Sequence, residues 1–383
     1  MKNFKSKFKW QTGKSLIECR VGQTVLFSDT LHHYNSAVLR LPHQTDQEAK
    51  NWLEESFKVA EQKSKQSNSF KSLPLDQKVS ALKLGFEKVN LKAKVKQNTK
   101  FFQKAFVGAC GHKANYIYAN MVDQNEEYAV VGCTLCEYGW LVDAKKPQKS
   151  LKDTVDYEEE YFEGGTEGLG YGHYLQQESW RVEKAYGQIR QIKSAAEFLN
   201  ISLGKNSRLL DIGSGYGFLR KAAQDAGWKH DGTDASNFAA KIAKKHYGFN
   251  TFVGFLDGFI KKNKGKQYDV IVLADVIEHV KNPIAELELV KTILKPGGLC
   301  MIRTPSIVSV EGQVFGNMFY SLKSEHLHYF SPRAISIFAQ KAGLAPRLVL
   351  TQSHFFKGLL GEDIRLHEAL GLGSDIFALL QNV

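Results

Sequence analysis

Leu209-Leu210-Asp211-Ile212-Gly213-Ser214-Gly215-Tyr216-Gly217 is the stretch on which the fold turns. An apolar run ends in three glycines at alternate positions, and a helical pattern, GFLRKAAQDAG, follows. A buried strand that runs through such a turn into a helix is the opening unit of an open, doubly wound sheet. Glycine permits the tight turn and leaves room for a ligand to approach the backbone. The first free N–H groups of the helix then point at that ligand, which lies beyond the carboxyl ends of the strands.

The same alternation extends on both sides of the turn. KHDGTDAS, NTFVGF, YDVIVLAD, LCMIRTPS, PRLVLTQSH and SDIFALLQ supply six more strands. QQESWRVEKAYGQIRQIKSAAEFLN, NFAAKIAKKHYG, NPIAELELVKTIL and SPRAISIFAQKAG carry apolar residues at helical spacing. NPIAELELVKTIL stops before the turn Lys295-Pro296-Gly297-Gly298, and Pro332 sits in the first turn of the last helix. The expectation for residues 151–383 is therefore an α/β fold, a doubly wound seven-stranded mostly parallel sheet. Short strands surround the cysteines of residues 106–150. Residues 1–105 form a basic region of unassigned fold, in which GQTVLFSDTLHHYNSAVLRL alternates like a strand, DQEAKNWLEESFKVAEQKSK reads as a helix and SKQSNSFKSLPLD as a loop.

Three details separate the glycine turn from a dinucleotide site. Its spacing is G-x-G-x-G and not G-x-G-x-x-G. Asp211, two residues before the first glycine, would repel a pyrophosphate but can reach the ammonium end of a methionine moiety, directly or through water. Asp234 ends the next strand, 21 residues after Gly213, where a carboxylate accepts hydrogen bonds from ribose hydroxyls. The structural alternatives are a solvated strand end for Asp211 and a helix N-cap for Asp234.

With these residues in view, residues 205–305 resemble the class I S-adenosylmethionine (SAM)-dependent methyltransferases. LLDIGSGYG resembles the family's first motif, GTDAS its ribose-binding strand end, YDVIVLADVIEHV its fourth strand and following loop, and LKPGGLCMIRTPS its turn and fifth strand. SEHLHYFSPRAISIFAQKAGL resembles the subgroup that contains quinone O-methyltransferases and many sugar-modifying enzymes, so that the resemblance extends over about 155–383. It implies a Rossmann-like methyltransferase fold whose last strand runs antiparallel between the fifth and sixth. It also implies a SAM site made by Asp211, Gly213, Ser214, Gly215, Gly217, Asp234, Leu256, Asp257, Ala274 and Asp275. The family often places an adenine-binding acid after the third strand. FVGFLDGF has Phe255 there, with Asp257 two residues on. Either Asp257 makes the contact or Phe255 packs near the base.

Methyl transfer from a sulfonium needs mainly orientation, because the donor is already activated. A neutral hydroxyl acceptor also needs a base, and histidine suits neutral pH. His279 follows the fourth strand, and His326 and His328 follow the fifth. All three are base candidates, with loop bracing as the alternative role, and Glu278 with His326 and His328 forms an alternative metal-ligand set. The segment Tyr157–Gly165 resembles one that lies over the cofactor in relatives, which makes Tyr161 a lid candidate beside its reading as a packed linker aromatic. Cys110 and His112 with Cys133 and Cys136 offer four zinc ligands in two pairs. The region is similar to the zinc ribbon that many methyltransferases of the subgroup carry just before a Tyr-Phe segment. Val107 stands where a first cysteine is expected, so a degenerate, metal-free ribbon is the competing reading.

Composition bounds the rest. The chain has 383 residues, 43% of them hydrophobic and 24% charged, which is ordinary for a soluble globular protein. No apolar run approaches the roughly 18 residues of a membrane span. MKNFKSKFKWQTGK is basic without the apolar stretch of a secretory signal, so a cytoplasmic protein with no membrane partner is expected. Five cysteines, an odd and sparse set of which three sit close together, do not make a disulfide framework. The net charge is +11, and residues 1–100 carry nearly all of it, with 17 Lys and 2 Arg against 9 Asp and Glu. Such a region is either a solvated lysine-rich face or an attractant for phosphates and acidic partners. The expected function is methylation of a small-molecule or sugar acceptor, at oxygen. RNA methylation is the alternative, drawing on that charge and on Phe4, Phe8, Trp10, Phe101 and Phe102, although no Pro-Pro-Tyr-type catalytic motif or RNA-binding signature accompanies them. A third reading is a non-catalytic SAM-binding protein. The oligomeric state is not fixed by the sequence.

Overall fold

Strands with two apolar faces need cover on both, and the central sheet has it. Successive residues point to opposite sides. Leu210, Ile271, Cys300 and Ile302 join one buried cluster, and Leu209, Val270, Val272, Leu299 and Met301 join the other. The structure is a computed structural model that describes residues 9–12, 16–21, 24–30, 47, 50, 54, 107–123, 126–144, 151, 157–164, 174–315, 319, 321–353, 368–369 and 371–383.

The central sheet contains β7 (Arg208–Ile212), β8 (Lys229–Asp234), β9 (Phe252–Val253), β10 (Tyr268–Ala274), β11 (Leu294–Pro305), β13 (Ala345–Gln352) and β14 (Asp375–Gln381). Their order is β13-β14-β11-β10-β7-β8-β9. Strands β7 to β11 pair in parallel, and β14 runs antiparallel to both β11 and β13. These are the seven expected strands in the expected arrangement. The α-helices described over their length are α1 (Glu178–Phe198), α2 (Phe218–Asp225), α3 (Asn237–Tyr247), α4 (Leu256–Lys262), α5 (Pro283–Ile293), α6 (Val310–Phe315) and α7 (Pro332–Lys341). Side chains cap three of them: Ser236 accepts from Ala239 N, Asn282 from Ile284 N and Ala285 N, and Ser331 from Ala334 N. The Lys295–Gly298 turn lies inside β11, as a bulge between the pairs Tyr268↔Leu294 and Val270↔Leu299. Helix α4 was not expected. The third strand is only two residues long, and Phe255 already stands at the helix N-cap.

Residues 107–143 form a second sheet of β4 (Tyr116–Asp123), β5 (Glu126–Cys133) and β6 (Tyr138–Asp143), joined at its edge by β12 (His328–Tyr329). The joint is the antiparallel pairing of His328 with Trp140 and Tyr329 with Gly139. Val131, Cys133, Tyr138 and Trp140 share one buried cluster with Leu287, Ile335 and Phe338. The Tyr138 ring centroid lies 4.8 Å from that of Phe338 and 5.6 Å from that of Phe330. Lys341 Nζ donates to Cys110 O at 2.7 Å. One face of the cysteine-bearing hairpins therefore packs on α7 and shares its core.

In the N-terminal region β1 (Lys9–Thr12), β2 (Leu16–Val21) and β3 (Thr24–Thr30) make an antiparallel meander. The strand read over 22–41 is seen over 24–30, and the expected helix is described only at residues 47, 50 and 54, which are helical. The rest of those elements, the loop over 64–76 and Phe4, Phe8, Phe101 and Phe102 lie outside the described residues. Among the described residues no helix is long and apolar enough to cross a membrane.

A shared core predicts shared unfolding. Phe338→Ala should cost about 3–5 kcal/mol, read by denaturant titration, with far-UV circular dichroism and tryptophan fluorescence moving in one transition. A separate early transition of the cysteine-bearing sheet would contradict the common core.

Candidate functional site

The carboxyl ends of β7, β8 and β10 open into a cavity of about 860 Å³, within the roughly 300–1,000 Å³ range of small-molecule sites. Gly213, Gly215 and Gly217 all adopt left-handed backbone, with φ of 67°, 49° and 88°. A Cβ on Gly213 would meet Val276 Cγ2 at 2.5 Å. Gly213, Ser214 and Gly215 line the cavity, as do Asp211 and Asp234. Gly217 does not. It is the N-cap of α2, and a Cβ there would face Phe249 and Ala243.

Both acids are buried at the strand ends. Burial pushes the Asp211 carboxyl up to about 7, with the Arg220 guanidinium opposing the shift and Asp234 adding to it. Asp234 Oδ2 accepts from Gly215 N at 2.7 Å and Oδ1 from Ser236 N at 2.8 Å. Its carboxyl is also pushed up, by burial first, while those two N–H groups hold it down. Each oxygen keeps a second acceptor position for a ligand hydroxyl. At the far end of the cavity Phe255, Leu256 and Asp257 meet α5. Asp257 is ion-paired to Lys261 at 3.1 Å. Glu286, on the facing turn of α5, also lines the cavity, and burial pushes its carboxyl up to about 7.

Ala274, Asp275 and His279 line the middle of the cavity. Asp275 takes φ of 58°, left-handed for a residue with a Cβ, a strain often kept at functional positions. Its N–H donates to Arg303 O at 2.8 Å, and its carboxylate lies 3.6 Å from Lys184 Nζ. His279 Nδ1 lies 2.9 Å from Glu325 O. A carbonyl only accepts, so Nδ1 carries the hydrogen and Nε2 holds the lone pair of the neutral ring. His326 is buried behind, its ring 4.8 Å from that of His279 and its Nδ1 3.3 Å from Ser321 Oγ. Glu278, His279 and His326 bring donor atoms within 4.8 Å of one another. His328 is absent from this group and from the cavity wall.

His328 corrects the sequence reading. Its Nδ1 accepts from Tyr138 O–H at 2.5 Å, and its Nε2 donates to Val280 O at 2.7 Å. Burial pulls its pKa down to about 4. A neutral ring with both nitrogens engaged braces a loop and is no base. The alternative metal set loses His328 for the same reason.

Residues of the Tyr157–Gly165 segment reach the cavity wall, and α1 adds cations that no motif marks. Glu158 accepts from Asn237 N and Phe238 N, each at 3.1 Å, and so ties the segment above the cavity to the first turn of α3. Tyr161 is buried in that segment and lines the cavity, with Tyr157 edge-on to it at 5.0 Å. Glu163 accepts from Tyr216 O–H at 2.7 Å and Leu175 N at 3.0 Å. Arg181 lies 3.6 Å over the Tyr174 ring, and with Lys184 it gives the cavity two cations from α1. A motif search starting at β7 passes over α1.

Away from the cavity, Cys110, His112, Cys133 and Cys136 place one ligand atom each within 4.8 Å of one another. A tetrahedral zinc site spaces its ligand atoms roughly 3–4 Å apart. The His112 Nδ1 is buried without a hydrogen-bond partner, and all three cysteines are buried and free. Three thiols and an orphaned imidazole nitrogen fit a zinc ion. Val107, at the place of the missing cysteine, bridges to Lys113 through its backbone and is exposed.

The comparisons agree with this geometry. Residues 183–349 match a family model described as a methyltransferase domain. A ubiquinone biosynthesis O-methyltransferase of Dinoroseobacter shibae is 31% identical over 127 residues, which are 32% of this chain and 48% of the relative. Another, from Cereibacter sphaeroides, is 34% identical over 100 residues, 25% of this chain and 40% of the relative. The chain thus spans about half the length, or less, of these curated relatives. A crystal structure of a SAM-dependent methyltransferase from Archaeoglobus fulgidus aligns at a TM-score of 0.42 and 16% identity, covering 55% of this chain and 99% of that one. With the glycine turn and its two acids at the head of the seven-stranded sheet, residues 183–349 are a class I SAM-dependent methyltransferase domain.

Proposed function

We propose that this chain transfers a methyl group from SAM to a hydroxyl of a small-molecule or sugar acceptor. The observation that carries the oxygen assignment is His279, which faces the cavity beside Asp275 with Nδ1 tied to Glu325 O. That tie fixes the tautomer in which Nε2 can take a hydroxyl proton. The named activity of the curated relatives, O-methylation in ubiquinone biosynthesis, supports the same atom.

Bound SAM would supply a methyl group on a sulfonium, already activated for displacement. Asp211 would accept from the ammonium of its methionine moiety, Asp234 from the ribose hydroxyls, and Asp257 or Glu286 from the adenine amino group. Arg181 and Lys184 would meet the methionine carboxylate. Tyr157 and Tyr161, held down by Glu158, would exclude water from the transfer. Cys110, His112, Cys133 and Cys136 would hold a structural zinc ion that brings no step to the reaction. RNA methylation is the second reading, favoured by the +10 charge of residues 1–100. A steep salt dependence of RNA binding would support it.

Four outcomes test these assignments. S-adenosylhomocysteine (SAH) should bind in calorimetry, and Asp234→Ala should weaken it by roughly 1–3 kcal/mol. Asp211 adds a pH dependence. A buried carboxyl with a raised pKa stabilises the unliganded fold below its unfolded value, and that contribution is lost as pH rises through about 7. A ligand ammonium prefers the ionised form, so affinity should rise between about pH 5.5 and 7.5, with proton release. Asp211→Asn should flatten that rise, and a flat wild-type profile would remove the ammonium contact.

His279→Ala should lower turnover by roughly 10²–10⁴ and leave SAH binding intact. Near-normal turnover would leave proximity alone, acting on an acceptor that is already nucleophilic. Elemental analysis should find about one zinc per chain, as four protein ligands make one closed site. Cys133→Ser should lower both metal content and thermal stability, whereas a zinc-free protein of normal stability would mark a degenerate ribbon.

A further inference from the structure

The cysteine-bearing sheet and the cavity are joined by hydrogen bonds through two side chains, Tyr138 and His328. Tyr138 opens β6 two residues after Cys136, and its backbone pairs with Cys133 on β5. At the other end of the same residue, the hydroxyl donates to His328 Nδ1 at 2.5 Å. The His328 Nε2–H donates to Val280 O at 2.7 Å, and its backbone N–H donates to Glu278 O at 3.0 Å. His279, Val280 and Lys281 all line the cavity. Tyr138 is fully buried and stacked against Trp140 at 5.5 Å, so its hydroxyl has no water to turn to.

Two buried groups in this line depend on each other. Removing the hydroxyl leaves Nδ1 of His328 unsatisfied, and removing the imidazole leaves both the hydroxyl and the Val280 carbonyl without a partner. Buried polar groups left unpaired cost more than the hydrogen bond itself contributed. The loop that carries the candidate base is thus held from behind by a sheet that contributes no residue to the cavity.

We propose that Tyr138 and His328 are positioning residues that fix the Glu278–Lys281 loop to the Cys110/His112/Cys133/Cys136 hairpins, so that the state of those hairpins sets the geometry of the cavity wall. The proposal rests on the cavity being the SAM site for its effect on the ligand, but the mechanical link stands independently of which ligand binds.

The test uses the full chain with Tyr138→Phe, His328→Leu and His328→Gln. Tyr138→Phe keeps the ring packing and removes only the hydroxyl. Gln places a donor near the position of Nε2, and Leu places none. Hydrogen exchange at residues 278–281 and the dissociation constant of SAH are measured on each folded variant, with metal content as a control.

Tyr138→Phe and His328→Leu should speed exchange in the loop and weaken SAH about three- to tenfold, the range of one lost buried hydrogen bond. His328→Gln should stay within about twofold of wild type, since it keeps a donor for the carbonyl. The double variant should be no weaker than His328→Leu alone, because the two side chains act as one unit. All should retain the metal content of wild type. Loop exchange unchanged in Tyr138→Phe, which does not disturb the packing, overturns the link. A wild-type chain that binds no SAH, with the exchange difference still present, removes the cofactor reading and keeps the link.

Discussion

The backbone at Gly213 and Gly215 is left-handed, and the site exists because it is. That conformation turns the chain back at the end of β7 and directs Gly215 N–H into the carboxylate of Asp234 on the neighbouring strand. It also brings two carboxyl groups, Asp211 and Asp234, to one buried strand end. Neither is comfortable there, and burial shifts both upward. A fold does not gather buried acids for stability. It tolerates them where a ligand with positive charge and hydroxyl groups completes the set. The Arg220 guanidinium, which opposes the shift of Asp211, is itself engaged with Thr251, Asn250 and His230 and is unable to neutralise the pair fully.

The opposite wall of the cavity depends on long-range packing. Asp275 is held in left-handed backbone by Arg303 O, and the loop beyond it leans on Glu325 O and His328. Arg303 in turn pairs with Asp375 of β14, so the last strand of the sheet reaches the candidate catalytic loop through one ion pair. The cysteine-bearing sheet reaches it through His328. A wall built this way has few local determinants, because each residue that shapes it is anchored to a different element.

That difference explains what the amino-acid pattern revealed. The seven strands and the glycine turn were legible because each is written in contiguous residues: an apolar run of the right period, a turn residue, a capped helix. The place of the last strand between the fifth and sixth came from the family resemblance alone. The two acids were legible because they sit at fixed offsets from the glycines. His328 was misread because its neighbours in sequence, Glu325 and His326, are near the cavity, while its contacts are Tyr138 and Val280, 190 and 48 residues away. Arg181 and Lys184 were missed because no motif contains them, and only the packing of α1 places them at the cavity. The anchoring role of Glu158 within the Tyr157–Gly165 segment was hidden because its partners Asn237 and Phe238 lie 79 and 80 residues away. Helix α4 was hidden by the brevity of β9, where two residues carry too little periodicity to separate strand from helix start.

Strand β14 has a consequence for how the protein is made. It pairs on one side with β11 and on the other with β13, with Ile376, Ala378 and Leu380 facing one layer of the core and Phe377 and Leu379 the other. β14 follows both partners in sequence, so until it pairs, β11 and β13 each present an unpaired strand edge to the slot between them. The final insertion is a non-local pairing, the kind that forms slowly and exposes strand edges meanwhile. Arg303 can pair with Asp375 only when β14 is in its slot, so the cavity wall that leans on Arg303 is complete only in a sheet that has closed.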